Sequence, residues 1–152
     1  MVGSKVSKKV ATRQCKETIR VVLVDEREAM REGLRHMLSN DESIAVVGEA
    51  KDGEEALIRV NEFCPDIILM DAGVRGTSGI DTARSLWEAK LPMRIIILAD
   101  NRKYLAPAIE AGAVGVLPRN ISRAHLTSAI RIIHLWRLAL FNSSEGFALV
   151  KL

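Results

Sequence analysis

A chain of 152 residues can build one domain with a complete core, and at 48% hydrophobic but only 4% aromatic that core must be aliphatic. It has no apolar run of the roughly 18 to 20 residues that a bilayer requires, no apolar signal-peptide region, and two cysteines (Cys15, Cys64) without metal or disulfide spacing. A membrane span and a disulfide-stapled secreted fold are therefore not expected, and a reduced, cytoplasmic protein is. Residues 1–18 carry Lys5, Lys8, Lys9, Arg13 and Lys16 against Glu17, a net of +4. The whole chain is +3, so the remainder sums to −1 and the basic character belongs to the leader. Such a segment reads as a solvated, disordered leader rather than a patch for nucleic acid or lipid.

Beyond it the pattern alternates. Ile19–Val24 is an apolar run, followed by a helical stretch, Glu28–Leu38, with Met30, Leu34 and Met37/Leu38 at helical spacing. Ile44–Val47 and then Gly53–Phe63 repeat the unit, the helix placing Ala56, Leu57 and Val60 on one side. Asp66–Met70 is a strand before a helix from about Gly79 to Ala89. Arg94–Leu98 precedes a short helix near Lys103–Ala111, with Pro107 in or near its first turn. Val114–Leu117 is the last strand. The last helix, Ser122 to about Leu140, has Leu126, Ala129, Ile130 and Ile133 as its buried stripe. Five βα units with continuous apolar strands predict an α/β fold: a doubly wound, five-stranded parallel sheet of order 2-1-3-4-5, flavodoxin-like. The domain is expected over residues 19–140, with 141–152 as the start of a linker.

In that order the first and third strands flank the switch point where ligands bind. Asp25 and Glu26 follow the first strand, and Asp71 ends the third ahead of a loop with Gly73, Gly76 and Gly79. Three carboxylates brought together repel, so either their pKa values rise or a cation bridges them. Oxygen donors with open positions for water suit Mg²⁺, which would ready Asp71 as a nucleophile toward a phosphoryl group. The plainer alternative, that these acids only cap the following helices, explains one of them more readily than both strand ends at once.

The stretches VVLVDE, MREGLRHML, VVGEAKDGEEAL, PDIILMD and EAGAVGVL, together with Gly76 and Gly79, give the chain a plain resemblance. It resembles the receiver domain of two-component response regulators, in particular those of LuxR-type transcription factors. The resemblance implies that Asp71 is the phosphoacceptor, with Asp25, Glu26 and the backbone carbonyl of Gly73 as metal ligands. It also implies a sensor histidine kinase as partner, a homodimer, and DNA contact only through an output domain that this chain lacks. A receiver is a signalling domain and not an enzyme. Several positions depart from the family pattern. Val74-Arg75 replace Met-Pro, Ala99 stands at the usual Ser/Thr, Val116 at the aromatic switch position, and Arg119, behind Pro118, at the usual Lys. Ala99 cannot donate a hydrogen bond, and Arg119 is a planar cation not equivalent to Lys. The acidic half of the site is thus expected to work, and the half that senses the phosphoryl group to be altered.

Those departures also support a second reading, a phosphorylation-independent interaction or dimerisation module. A phosphatase of the haloacid-dehalogenase type is excluded, because the acid it needs two residues after its nucleophile is Gly73 here. His36, His125 and His134 fall on helices without metal spacing and read as exposed polar positions. Trp87 and Trp136 read as partial core or interface.

Overall fold

The structure, a computed structural model, describes residues 18–73 and 78–140, with side chains as far as Leu135. The leader, Val74-Arg75, Trp136, Leu140 and the linker therefore lie outside the described side chains. Five βα units follow one another: β1 Ile19–Val24, α1 Glu28–Ser39, β2 Ile44–Ala50, α2 Gly53–Phe63, β3 Ile67–Asp71, α3 Gly79–Glu88, β4 Arg94–Ala99, α4 Leu105–Glu110, β5 Gly115–Pro118 and α5 Arg123–Leu140. The strands are parallel, in the order β2-β1-β3-β4-β5.

Successive side chains of a strand face opposite sides of the sheet, so a sheet covered on both faces needs unbroken apolar strands. On β1 and β3, Val22, Val24, Ile68 and Met70 pack toward α2, α3 and α4, while Val21, Leu23, Ile67 and Leu69 pack toward α1 and α5. The expected stripe of α5 is buried as a set: Leu126, Ala129, Ile130 and Ile133. On α2 the expectation needs correcting, since Ala56 and Val60 are buried but Leu57 is exposed.

Other differences have local causes. The strand β2 runs three residues past Val47, through Gly48 and Glu49 to Ala50, because these residues pair with Val22–Val24 of β1 after a register shift, and Arg31 (3.3 Å) and Arg35 of α1 hold the Glu49 carboxylate. The expected helix at Lys103–Ala111 divides into a 3₁₀ turn, Arg102–Tyr104, and α4. The Asn101 side chain accepts from the Lys103 N–H at 2.9 Å to start the turn, and Pro107 stands third in α4. His134 is half-buried rather than exposed. Trp87 is 56% exposed, yet its ring covers Gly112, where a Cβ would come within 2.6 Å of it. That glycine also has φ +96°, a conformation side chains disfavour.

Candidate functional site

Register alone brings the two central acids together. Val24 of β1 is paired with Met70 of β3, so Asp25 and Asp71, one residue further on, stand side by side at that end of the sheet. Leu98 pairs with Asp71 and Ala99 with Pro118, which sets Arg119 at the same end of the sheet. Asp25 and Asp71 are only 1% and 4% exposed, so each carboxylate needs compensating partners.

Both partners are arginines. The Asp25 carboxylate accepts from the Arg27 backbone N–H at 2.9 Å and from its Nε and Nη2, both at 3.1 Å. The same Nη2 lies 3.6 Å from Asp71 Oδ1, so the Arg27 guanidinium bridges the two acids. Its hydrogen bond to Asp25, opposed by partial burial and aided by the charges of Asp25, Asp71 and Glu26, raises the Arg27 pKa. Arg31 adds a bond from Nη1 to the Asp25 backbone carbonyl at 2.7 Å. On the other side, Asp71 Oδ2 accepts from the Gly73 N–H at 2.9 Å and from Arg119 Nη2 at 3.1 Å. Arg119 Nε stands 2.6 Å from Asp71 Oδ1, an ion-pair contact in which neither atom makes an aligned hydrogen bond. Arg119 Nη1 also reaches Asp100 at 3.1 Å. A planar fork with several donors can hold two carboxylates at once, which an ammonium on a flexible stem does less well.

The structure thus gathers Asp25, Asp71, Gly73 and Arg119; Glu26, next to Asp25, is exposed, and its charge acts on Arg27. Among the described residues no three His, Cys, Asp or Glu side chains group as they would around a bound metal. Ala99 is buried at the end of β4 and presents a methyl group, while Val116 is half-buried against the α2–α4 core. Two side chains that sequence reasoning missed are Arg27 and Asp100. An arginine two residues after Asp25 was visible in the sequence, but the return of its side chain over both acids was not.

Chemically, the site offers a buried carboxylate held against a fixed guanidinium. Its other donors are hard oxygens, the kind that suits a small divalent ion. The residues fit such an ion in donor type, with Arg27 standing between them.

The model of the response regulator receiver domain family matches residues 21–131. The chain is 38% identical over 117 residues to the transcriptional regulatory protein LiaR of Bacillus subtilis, covering 74% of this chain and 54% of that protein. It is 34% identical over 118 residues to the response regulator UvrY of Escherichia coli, covering 76% and 54%. It therefore spans about half the length of these curated relatives. Among solved structures, the receiver domain of a NarL response regulator from Mycobacterium tuberculosis superimposes with a TM-score of 0.74 at 31% identity, covering 78% of this chain and 98% of that one. A LuxR-family response regulator from Aurantimonas gives 0.74 at 34% identity, covering 80% and 88%. The family match takes in most of the doubly wound sheet and both central acids, and this chain belongs to the response regulator receiver domain family, as the receiver of a two-component response regulator.

Proposed function

We propose that Asp71 accepts a phosphoryl group from a sensor histidine kinase and that this controls dimerisation or an attached output domain. One observation carries the reading: Asp71 is a buried carboxylate at the switch point with the Arg119 guanidinium held against it. A carboxylate oxygen of Asp71 attacks the phosphorus of a phosphohistidine. The O–P bond forms, the P–N bond breaks, and its electron pair stays on the imidazole nitrogen. Arg119 offsets the charge of the phosphoryl oxygens and Asp100 holds the guanidinium in place. Receivers as a family bind Mg²⁺ at their acidic pocket. Here Asp25, Glu26, Asp71 and the Gly73 carbonyl would hold it, and when bound it neutralises charge on the transferring group.

The relatives of this chain include transcriptional regulators, so we place the receiver ahead of a DNA-binding output domain in the complete protein. A homodimer would use α5, where Ile132 and Leu135 are exposed, or the face of α4 with Ile109. The interaction-module reading is not favoured, since the receiver-domain family match covers residues 21–131, Asp71 among them.

Intact-mass spectrometry after incubation with acetyl phosphate and Mg²⁺ tests the reading. One phosphoryl group should be gained, slowly or incompletely because Arg119 replaces Lys, and Asp71→Asn should gain none. Equal labelling of Asp71→Asn, or no labelling of the unaltered chain, would sink it. The same samples sedimented at tens of micromolar should contain dimer; monomer both before and after labelling would remove the dimer from this account.

A further inference from the structure

The Arg27 guanidinium lies where a cation bridging Asp25 and Asp71 would lie. We propose that Arg27 is a tethered cation that competes with the divalent metal for the acidic pair, so that metal entry requires its displacement. The inference rests on the reading of this pocket as a metal site.

Three observations support it. Asp25 gives both carboxylate oxygens to Arg27, one shared by the backbone N–H and Nε and the other taken by Nη2, so a metal that claims an oxygen must break a charge-assisted bond. The same nitrogen is 3.6 Å from Asp71, so one group spans both acids. Charge points the same way. Arg27 and Arg119 offset the charges of Asp25 and Asp71, although Asp100 shares Arg119 and Glu26 lies near Arg27. A metal therefore meets two carboxylates already paired with cations instead of two free ones. The arginine can leave: its side chain is 45% exposed and precedes α1, at a helix N-cap where it makes no side-chain capping bond. Once displaced, the guanidinium would stand at the rim of the pocket.

Removing a unit positive charge from beside the ion and freeing Asp25 should tighten metal binding by roughly tenfold or more. The experiment is calorimetric Mn²⁺ binding to the unaltered chain, Arg27→Ala, Arg27→Gln and Asp25→Asn, with circular dichroism confirming each fold. Both Arg27 variants should bind at least tenfold tighter than the unaltered chain, and Asp25→Asn should lose binding. Equal affinity of the Arg27 variants and the unaltered chain would overturn the proposal while leaving the metal reading intact. If none of the four binds Mn²⁺, the metal reading fails and takes the proposal with it. A readout free of any variant is the Arg27 Nε–H resonance, protected by Asp25 in the metal-free chain. Saturating Mg²⁺ should abolish that protection, and its persistence in a metal-bound sample would contradict displacement.

Discussion

Gly79→Ala is expected to destabilise this domain by about 3 kcal/mol or more, an unusually large effect for one added methyl group. Gly79 opens α3 directly over the end of β3, and its N–H donates to the Ala72 carbonyl at 3.0 Å. A Cβ there would sit 2.1 Å from the Asp71 carbonyl oxygen, 3.1 Å from that carbonyl carbon and 3.2 Å from the Ala72 carbon. All three are backbone atoms, so no side chain can swing aside to make room. Either α3 lifts from the sheet or the end of β3 moves, and Asp71 moves with it. Ser78, which caps α3 by accepting from the Asp81 N–H at 3.1 Å, resists the first adjustment. Urea unfolding of the two proteins, compared at equal slope, measures the loss. A change below about 0.5 kcal/mol, the range of a neutral surface substitution, would show that this approach is not as close as described.

Leu69→Ala should cost a similar amount, about 3 to 4 kcal/mol, by the opposite route. Leu69 is fully buried in β3, with Leu23 of β1 on one side and Ile96 of β4 on the other, and it faces the α1–α5 layer. Strands hold the surrounding backbone on both edges, so the cavity cannot collapse easily and the lost contacts are not recovered. Out of a total stability of roughly 5 to 15 kcal/mol for a domain, this is a large fraction. Leu135→Ala, on a residue 59% exposed, is the matched control and should change stability by less than about 0.5 kcal/mol. Equal losses at the two positions in urea unfolding would mean that the assigned core is wrong.

Much of this architecture was legible because a doubly wound sheet writes itself into sequence. Ile67, Ile68, Leu69 and Met70 must all be apolar when both faces are covered, and the helices between such runs show a separate period. Strand order followed from the number of units and crossover length, and it placed Asp25 and Asp71 together before any contact was known. Where polar residues interrupt the signal, it weakened. Glu49 belongs to β2 through its pairing with Leu23 of β1, and two arginines of α1 offset its charge, long-range facts that no local window contains. Leu57 has the right residue type but stands too far around α2 to reach the sheet. The site divides in the same way. The strand ends supplied Asp25, Asp71 and Arg119, whereas Arg27 could not be placed because its role depends on a long side chain turning back over the pocket. Glu26 adjoins Asp25 in sequence, yet the residue is exposed while Asp25 is buried.

We propose that the nucleophilic half of this receiver works and that its conformational half is altered. Asp71 keeps its burial and its cation, while Ala99 offers no hydroxyl and Val116 no aromatic ring. A phosphoryl group can shift an equilibrium only through contacts that differ between two states, and the hydroxyl that would pull β4 is absent. The most direct test compares amide NMR spectra of the chain with Mg²⁺, with and without beryllofluoride, a phosphoryl mimic. The account predicts changes at Asp25, Asp71, Gly73 and Arg119, with α4 and Val116 undisturbed. Large shifts reaching α4 and Val116 would show an ordinary switch and contradict it.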